Sequence, residues 1–535
     1  MVLSDRVREA LSRAADKSRI RANSPHRTTQ EDLVTWARGH LSHRPLVIVS
    51  NREPWSHVRD GEEIRAVRNA GGLTVALDAV AQALGGTWVA HGSGDADRET
   101  VDERDHVGCP PERPTYQLRR IWLSEEDHAL YYSGASNGAL WPLCHIAYVR
   151  PQFRLEEWER YRDVNHRFAE AVLEEVGDEP ATVFLQDYHL ALAARFLKKR
   201  RPDLQISTFW HIPWPNAEVF RICPWRDELL DGLLANDFIG FHIRGHALNF
   251  LQSVASTLEA RVDMEQLLVD RGGSRTWVRA FPIGVAADEI GAMANHPDTA
   301  ATELRLRREM GLEGIKIGLG VDRMDYTKGV PERLEALEQF FVDHPEWVGR
   351  FAFIQIAVPS RIELEEYRAV QRRTREMVDR INLRFPAPGG RTVHLIEANL
   401  DFRQLVPFYR MADLCAVTSL HDGMNLVAKE YVAASTDSDG ALILSPFTGA
   451  AREFERAIIA SPYDREGTAA AYYAALTESD ESRRERMGAL REIVQRRNIY
   501  DWAIEVLDAI QRLTLSTPVE SAPAEPGTPS REVSS

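Results

Sequence analysis

Cysteine is scarce in this chain, and the few that occur form no recognisable motif. The four cysteines, Cys109, Cys144, Cys223 and Cys415, are far apart and include no Cys-x-x-Cys pair. Such a set supports neither a structural zinc site nor a disulfide framework, and it is typical of a reducing compartment. No cluster of metal ligands stands out elsewhere in the sequence, so we expect no metal and no cofactor.

The sequence also lacks long apolar runs and an excess of positive charge. It has no stretch of 18 apolar residues and no signal-peptide core, so we expect a cytoplasmic protein without a membrane partner. There are 65 Lys and Arg residues against 80 Asp and Glu, a formal net charge of −15. That balance argues against a nucleic-acid binder, which needs a basic face. It still permits an anionic small substrate, because a few cations in a cleft set the local field.

Length and patterning predict two domains. A chain of 535 residues is too long for one ordinary core, while 44% hydrophobic and 27% charged residues are ordinary for a globular enzyme. Strand-like runs alternate with amphipathic helix-like runs in both halves, which predicts an α/β protein with two doubly wound parallel sheets. The predicted strands are 46–50, 87–90, 117–123, 182–185, 206–212 and 238–241 in the first half, and 315–321, 351–357, 393–397, 414–417, 441–444 and 458–460 in the second.

We therefore predict two Rossmann-like domains that face each other across a cleft. Ligand sites prefer domain interfaces and the carboxyl ends of parallel strands, so polar clusters at strand ends are candidates for the site. The sequence leaves the oligomeric state open, between a monomer and a homo-oligomer. The predicted segments are a helical extension at 1–44, a first domain at 45–285, a second domain at 286–485, a helical segment at 486–513 and a disordered tail at 514–535.

The stretch 315–333 carries the clearest chemistry. An apolar run ends abruptly in polar residues that include Arg323 and Lys328, and a glycine and a proline then open a helix. A buried strand would thus deliver two cations to its carboxyl end beside a helix N-terminus, which suits a diphosphate. The alternative is a surface loop whose basic residues pair with Asp322, Asp325 and Glu332.

Other polar residues follow predicted strands or precede predicted helices. Arg52 and Arg361 each lie just past an apolar strand. Gly71 and Gly72 stand before a helical run, where backbone N–H groups can approach a phosphate closely because no Cβ intervenes. An ordinary tight turn is the alternative for this glycine pair.

Aromatic and histidine-containing segments suggest a sugar site. The segment Tyr131–Pro142 is dense in aromatic and small polar residues, which suit a sugar, although a core aromatic cluster explains the composition as well. The segments Leu185–His189 and Phe209–Pro215 each end an apolar strand in a polar group that contains a histidine. Asp187 stands near the first histidine, which favours a functional site over two satisfied core histidines.

The segment Leu420–Glu430 combines an Asp-Gly turn with a helix start that Asn425 can cap. Free N–H groups at such a start can hold a phosphate, and Glu430 can accept hydrogen bonds from paired ribose hydroxyls. The alternative is a structural glutamate that pairs with Lys429 or Arg452.

Taken in order, these motifs resemble those of the trehalose-6-phosphate synthase family, retaining glucosyltransferases of GT-B fold. The resemblance covers about residues 45–512 and rests on SNR, GGL, YYxxxSNxxLWP, DYH, HIPWP, DRMDYTKGxPER, PSR and DGMNLVAKEYVAA. It implies transfer of glucose from a nucleotide-diphosphate glucose, usually UDP-glucose, to glucose 6-phosphate with retention, giving α,α-trehalose 6-phosphate. It also implies a reaction on one face of the sugar without a protein nucleophile, in which the leaving phosphate accepts the proton of the acceptor.

The resemblance further implies roles for individual residues, and no metal. The implied catalytic residues are His211, Arg323, Lys328 and Asp422. The implied donor-binding residues are Gly71, Gly72, Arg323, Lys328, Leu426, Val427 and Glu430, the last of them on the ribose. The implied acceptor-binding residues are Arg52, Tyr132, Trp141, Asp187 and Arg361, with the two arginines on the 6-phosphate.

The chain departs from the family between the GGL motif and the aromatic segment. Family members often carry Gly-Trp-Ser-Gly where this chain has His91-Gly-Ser-Gly94, so that Gly92 stands where an indole is expected. Residues 53–70 also differ, somewhat as in glucosylglycerol-phosphate synthases, which use glycerol 3-phosphate and usually ADP-glucose. The retained GGL, SNxxLWP and DYH motifs favour glucose 6-phosphate, with glycerol 3-phosphate or another phosphorylated acceptor as the alternative. The donor base stays open, and a catalytically silent regulator is disfavoured because the catalytic positions are intact.

Overall fold

Strands and helices alternate along most of the chain. The computed structural model describes residues 27–41, 44–69, 72–387 and 390–515. The strands are β1 (Leu46–Arg52), β2 (Trp55–Asp60), β3 (Glu63–Arg68), β4 (Thr87–His91), β5 (His106–Cys109), β6 (Tyr116–Ile121), β7 (Thr182–Gln186), β8 (Gln205–Phe209), β9 (Phe238–Phe241), β10 (Arg261–Asp263), β11 (Leu268–Arg271), β12 (Ser274–Ala280), β13 (Lys316–Arg323), β14 (Phe351–Val358), β15 (Val393–Ile396), β16 (Leu414–Val417), β17 (Ala441–Leu444) and β18 (Ile458–Ile459).

Most helices lie between consecutive strands, and a π-helical segment covers His128–Leu140. The α-helices are α1 (Gln30–His40), α2 (Gly72–Leu84), α3 (Glu125–Asp127), α4 (Trp141–His145), α5 (Leu155–Val176), α6 (Ala193–Arg200), α7 (Ala217–Phe220), α8 (Arg226–Leu233), α9 (Arg244–Thr257), α10 (Ala287–Ala294), α11 (Pro297–Glu309), α12 (Val330–Asp343), α13 (Glu365–Arg384), α14 (Phe402–Met411), α15 (Leu426–Ala434), α16 (Arg465–Thr477), α17 (Asp480–Arg496) and α18 (Ile499–Leu515). Within the described ranges, no helix combines the length and the apolar composition that crossing a membrane requires.

The strands form two large sheets and one hairpin. The first sheet has the order β10-β11-β12-β9-β8-β7-β1-β4-β6-β5, and the second has the order β15-β14-β13-β16-β17-β18. All pairs in the second sheet are parallel. In the first sheet the antiparallel pairs lie at the two edges, where β10, β11 and β5 add to the parallel centre. The central strands are buried on both faces, as the continuous apolar runs predict.

Each of the predicted strands is present, with ends that differ by a few residues. The prediction missed β5 at one edge of the first sheet, the strands β10 to β12 toward its other edge, and the hairpin β2–β3. In β3 almost every side chain is exposed, so the hairpin carries no buried apolar run for a pattern to detect. The predicted strand 206–212 ends early, at Phe209.

The last helix returns to the first domain. α17 packs against α15 and β17 of the second domain, whereas α18 packs against α1, α2 and β9 of the first. The indole of Trp502 in α18 lies with its centroid 5.1 Å from that of Phe209. The Asn498 side chain, just before α18, donates a hydrogen bond to the backbone oxygen of Thr28 at 2.7 Å. The two C-terminal helices therefore contact both domains. The boundary predicted between residues 485 and 486 falls inside α17.

Some predicted segments lie partly outside the described residues. This holds for residues 1–26 and 42–43 of the predicted extension, for Gly71, and for residues 516–535 of the predicted tail. Helix α1 lies within the rest of the extension.

The two domains meet along a tight seam at the floor of the cleft. A Cβ on Gly423 would lie 2.0 Å from the backbone oxygen of His211 in the opposite domain, so no larger residue fits. Beside this contact, His421 Nδ1 lies 2.7 Å from the backbone oxygen of His145. Further along the seam, Ser133 donates a hydrogen bond to Glu363 at 2.7 Å. These contacts therefore fix the positions of residues on opposite sides of the cleft relative to one another.

Candidate functional site

A single large cleft of about 1710 Å³ lies between the two domains. The carboxyl ends of β1, β4, β7 and β8 open into it from one side, and those of β13 and β14 from the other. Every predicted site residue that the structure describes lines this cleft. These residues are Arg52, Gly72, Tyr132, Trp141, Asp187, His211, Arg323, Lys328, Arg361, Asp422, Leu426, Val427 and Glu430.

Lys328 forms a short ion pair with Asp422, in the loop before α15. Its Nζ lies 2.5 Å from Asp422 Oδ2, although the two residues are 94 positions apart in sequence. Asn425 also donates a hydrogen bond to this carboxylate, at 3.2 Å. Burial raises the pKa of Asp422, but Lys328 and its other partners outweigh burial and hold the pKa at about 2. The lysine and the carboxylate therefore face the cleft as a charged pair.

Arg323 lies at the end of β13, with its guanidinium 30% exposed. Its guanidinium carbon is 5.2 Å from the centroid of Trp141, and its nearest carboxylate oxygen belongs to Asp325, at 3.7 Å. Asp322 does not neutralise it, because that carboxylate pairs with the buried Arg333 at 2.5 Å. Charges of this stretch therefore do pair locally, as Arg333 with Asp322 and more loosely Arg323 with Asp325. The alternative of a surface loop is nevertheless wrong, because Asp322 and Arg333 are buried.

A cluster of arginine and tyrosine adjoins Arg323, since Arg323 and Arg361 both approach the same carboxylate oxygen of Asp325. Arg361 is 8% exposed, lies 4.3 Å from the centroid of Trp141, and donates to the hydroxyl of Tyr367 at 2.5 Å. Arg52 donates to the hydroxyl of Tyr132 at 3.0 Å. Burial raises the pKa of Tyr132, but Arg52 and Arg361 overcome burial and lower the pKa to about 7. A phenol with so low a pKa reports a strong positive potential, which suits a phosphate.

His211 is neutral and held on both ring nitrogens. Its Nε2 lies 2.9 Å from the side-chain oxygen of Gln186, and its Nδ1 lies 3.3 Å from His242 Nε2. Burial lowers the pKa of His211 well below its usual range. The backbone N–H of His211 donates to Asp187 at 3.2 Å, and burial raises the pKa of Asp187 to about 7. The site thus presents an uncharged imidazole next to a carboxyl that titrates near neutrality.

Glu430 lies in the first turns of α15, and its carboxyl is buried. Its Oε2 accepts a hydrogen bond from Tyr409 at 2.8 Å, and burial raises its pKa to about 7. The alternative in which Glu430 pairs with Lys429 is wrong, because Lys429 binds Glu453 at 2.5 Å instead. The predicted cap of this helix is confirmed, since the Asn425 side chain accepts from the backbone N–H of Ala428 at 3.1 Å.

Two helix starts from opposite domains meet in this part of the cleft. A Cβ on Gly72, the first residue of α2, would lie 2.8 Å from the side chain of Leu426, the first residue of α15. Each helix start presents unpaired backbone N–H groups and the positive end of a helix dipole. An anion bound beside this contact would meet both positive ends.

Three residues of the site adopt left-handed backbone conformations. The φ angles are +71° at Asp187, +48° at Arg361 and +83° at Asn425. Such conformations cost on the order of 1–3 kcal/mol in residues other than glycine, and they persist where the surrounding contacts enforce them. Their clustering in one cleft marks it as a functional site, a signal that the sequence does not carry.

Sequence reasoning also missed a buried charge cluster behind the cleft. Arg120 is fully buried in β6, with Glu53 at 2.9 Å and Asp97 at 2.8 Å. Asp97 in turn accepts hydrogen bonds from the backbone N–H groups of His57 and Gly94, both at 2.6 Å. The cluster fastens the hairpin β2–β3 and the loop after β4 to the sheet. The two adjacent arginines, Arg119 and Arg120, inside the predicted strand 117–123 were the available signal.

Two facing Rossmann-like domains with their strand ends directed into a shared cleft define the GT-B fold. A family model described as glycosyltransferase family 20 matches residues 44–512. The chain therefore belongs to glycosyltransferase family 20, as the motifs predict.

Relatives and solved structures agree with this assignment. A trehalose-6-phosphate synthase of Mycobacterium sp. (strain KMS) is 40% identical over 474 residues, which cover 87% of this chain and 94% of the relative. An alpha,alpha-trehalose-phosphate synthase (UDP-forming) from Burkholderia xenovorans, solved in complex with glucose-6-phosphate, matches with a TM-score of 0.78 at 30% identity, covering 87% of this chain and 100% of that one. An E. coli structure bound with UDP-2-fluoro glucose matches with a TM-score of 0.77 at 31% identity, covering 87% of this chain and 99% of that one.

The buried carboxyl of Glu430 makes the stability of the free protein depend on pH. Its pKa is raised from 4.5 to about 7, so its contribution to folding is fully present below pH 4.5 and is lost as the pH rises through about 7. We expect Glu430→Gln to match the wild type near pH 4.5 and to exceed its free energy of unfolding at pH 8 by about 2–3 kcal/mol. Urea denaturation at several pH values measures this difference.

The matched control is Glu481→Gln, which removes an exposed carboxyl from the first turn of α17. We expect the control to follow the wild type at every pH. Equal pH dependence in the wild type and Glu430→Gln would contradict the buried, protonated state of Glu430.

Proposed function

We propose that this protein transfers glucose from UDP-glucose to glucose 6-phosphate with retention, and so forms α,α-trehalose 6-phosphate and UDP. The observation that carries the proposal is the meeting, in one cleft, of the Arg323 and Lys328 cations with the helix start at Leu426 and the carboxyl of Glu430. The named relatives support the same reaction, since one is a trehalose-6-phosphate synthase and the two solved structures hold a UDP-glucose analogue and glucose 6-phosphate. They also favour glucose 6-phosphate over glycerol 3-phosphate.

The donor half of the site follows from charge and helix geometry. Arg323 and Lys328 lie at the carboxyl end of the strand β13 and just after it, so they bind the diphosphate of the donor. The starts of α2 at Gly72 and of α15 at Leu426 add backbone N–H groups on the same anion. Glu430 accepts from the ribose hydroxyls, and Leu426 and Val427 line the nucleotide.

The acceptor half takes the sugar phosphate. Arg361 and Arg52 provide two cations beside Tyr132, whose lowered pKa reports the potential that a phosphate would meet. Trp141 lies 4.3 Å from the Arg361 guanidinium and 5.2 Å from that of Arg323, so the acceptor and donor cations adjoin the same indole. Asp187 accepts from the hydroxyls of the acceptor sugar.

The reaction needs stabilisation of the leaving group rather than a protein nucleophile. The bond between the anomeric carbon and the β-phosphate oxygen breaks, and UDP leaves with the electron pair. The anomeric hydroxyl of glucose 6-phosphate forms the new bond on the same face, and its proton passes to the departing β-phosphate. Arg323 and Lys328 stabilise the charge that develops there. Neutral His211 contacts the donor sugar across the seam, and Asp422 holds hydroxyls of that sugar.

The cytoplasmic location predicted from the sequence belongs to the same proposal. All four cysteines are free and buried, which suits a reducing compartment.

Arg323→Ala tests the role assigned to the donor diphosphate. Loss of one preorganised donor to a developing oxyanion costs about 3 kcal/mol, so we expect kcat to fall by about 10²–10³-fold while the unfolding midpoint stays unchanged. UDP release from UDP-glucose and glucose 6-phosphate measures the rate. The control is Arg350→Ala, since Arg350 stacks on Trp347 at 5.3 Å and does not line the cleft. Undiminished turnover by Arg323→Ala would remove Arg323 from the mechanism.

Arg361→Ala tests the acceptor half. Hydrogen bonds to charged groups contribute about 1.5–3 kcal/mol each, so we expect the KM for glucose 6-phosphate to rise by about 10–100-fold. The KM for UDP-glucose should change by less than about threefold, because Arg361 lies on the acceptor side.

Because Arg361 is buried against Asp325, Arg361→Lys serves as a second variant that keeps the charge but loses the planar fork. It should raise the acceptor KM by a smaller factor. If either variant raised the donor KM more than the acceptor KM, Arg361 would belong to the donor half.

A further inference from the structure

The imidazole of His211 lies beside the place that the proposed function gives to the donor sugar. A Cβ on Gly423 would lie 2.0 Å from the backbone oxygen of His211, and Gly423 directly follows Asp422 in the chain. The His211 side chain lines the cleft together with those of Gln186 and His242. Each of these two neighbours contacts one of its ring nitrogens, so they decide the charge and the proton position that the ring presents to a ligand.

Gln186 fixes the proton of His211 on one ring nitrogen. Gln186 is buried at the end of β7, and its amide nitrogen donates a hydrogen bond to the backbone oxygen of Phe184 at 3.3 Å. The amide oxygen of Gln186 therefore faces Nε2 of His211, at 2.9 Å. Because an amide oxygen only accepts hydrogen bonds, Nε2 carries a proton and donates it. A neutral imidazole has a single N–H, so Nδ1 of His211 acts as an acceptor.

His242 supplies the matching donor on the other side of the ring. It follows β9 and is buried, and its Nε2 lies 3.3 Å from Nδ1 of His211. Burial, with a smaller effect of Lys429, lowers the pKa of His242 to about 3, and burial lowers the pKa of His211 well below its usual range. Two neutral rings share this contact only if Nε2–H of His242 donates to Nδ1 of His211. Gln186, His211 and His242 thus form a chain with one arrangement of protons.

The carboxylates around this chain do not bind either imidazole ring in the part of the protein that the structure describes. Asp187, after β7, accepts from the backbone N–H of His211 at 3.2 Å. Asp422, across the seam, pairs with Lys328 at 2.5 Å. A second proton on His211 would therefore have no negative partner at the ring, which favours the uncharged imidazole.

We propose that Gln186 and His242 are positioning residues, which keep the His211 ring uncharged and in one tautomer beside the anomeric carbon of the donor sugar. The inference rests on the proposed function. Departure of UDP leaves the sugar ring with the positive charge of an oxocarbenium-like transition state, as in other reactions at an anomeric carbon. An imidazolium beside that carbon would repel this charge, whereas a neutral imidazole does not.

Gln186→Glu tests the inference in the full-length protein, since it keeps the shape of the side chain and adds the missing negative partner. The carboxylate raises the pKa of His211 and so favours an imidazolium. We expect kcat to fall about tenfold or more relative to the wild type at about pH 6.5, and the ratio of the two kcat values to recover toward about pH 9 as the ring loses its proton. UDP release from UDP-glucose and glucose 6-phosphate measures kcat, and both KM values should stay within about threefold.

Gln339→Glu is the matched control, because it adds the same charge on α12, outside the residues that line the cleft. We expect its kcat to follow that of the wild type at every pH. The comparison separates an effect on the His211 ring from an effect of net charge.

A pair of variants at His242 separates the hydrogen bond from general packing damage. In His242→Gln the new amide can still donate to Nδ1 of His211, whereas His242→Leu leaves that nitrogen without a donor. A buried polar atom without its partner costs about 1–3 kcal/mol, so we expect kcat of the leucine variant to lie about tenfold below that of the glutamine variant. Lost packing affects both variants alike, because each replaces the ring with a smaller side chain. A kcat ratio for Gln186→Glu that does not change with pH, or equal kcat values in the two His242 variants, would overturn the inference.

The wild type, measured in parallel, distinguishes failure of the inference from failure of the proposed function. No product from UDP-glucose and glucose 6-phosphate in the wild type refutes the proposed function and, with it, the assignment of Gln186 and His242. Normal wild-type turnover combined with unaffected variants at these two positions refutes only the assignment.

Discussion

Mutual repulsion among the cleft cations is the constraint on which the site depends. A protein with a formal charge of −15 gathers Arg52, Arg323, Lys328 and Arg361 in one cleft between its domains. Few carboxylates balance them locally: Asp422 pairs closely with Lys328, while Asp325 lies more than 3 Å from both Arg323 and Arg361. The arrangement favours ligands that bring their own negative charge at two points, as a nucleotide sugar and a sugar phosphate do together.

The backbone holds these charges at fixed positions. Gly423 allows the second domain to touch the His211 carbonyl, and left-handed residues at Asp187, Arg361 and Asn425 turn their side chains from strand and helix ends into the cleft. The C-terminal helix α18, which packs on the first domain after α17 has packed on the second, ties the two halves together. In the proposed function both substrates bind across the seam, so the distance between the two proposed anion sites depends on this packing.

Much of the fold and of the site could be predicted from the sequence, because buried strands and the polar residues at their ends leave local patterns. Features that leave no local pattern could not be predicted. Buried parallel strands require continuous apolar runs, and functional side chains at their ends interrupt those runs, so Arg323 and Lys328 stood out. Contacts across the fold leave no such local trace. The sequence could not show that Lys328 pairs with Asp422, or that Lys429 turns away from Glu430 to Glu453. Nor could it show that Trp122 fills the space beside Gly92.

The central claim is that Arg323 and Lys328 stabilise the departing nucleotide while Arg52 and Arg361 hold the acceptor phosphate. A crystal structure with UDP and glucose 6-phosphate bound together tests it most directly. The account predicts the β-phosphate within hydrogen-bonding distance of Arg323 and Lys328, and the 6-phosphate against Arg52 and Arg361. A nucleotide bound outside the cleft, or a diphosphate seated on Arg52 and Arg361 instead, would contradict it.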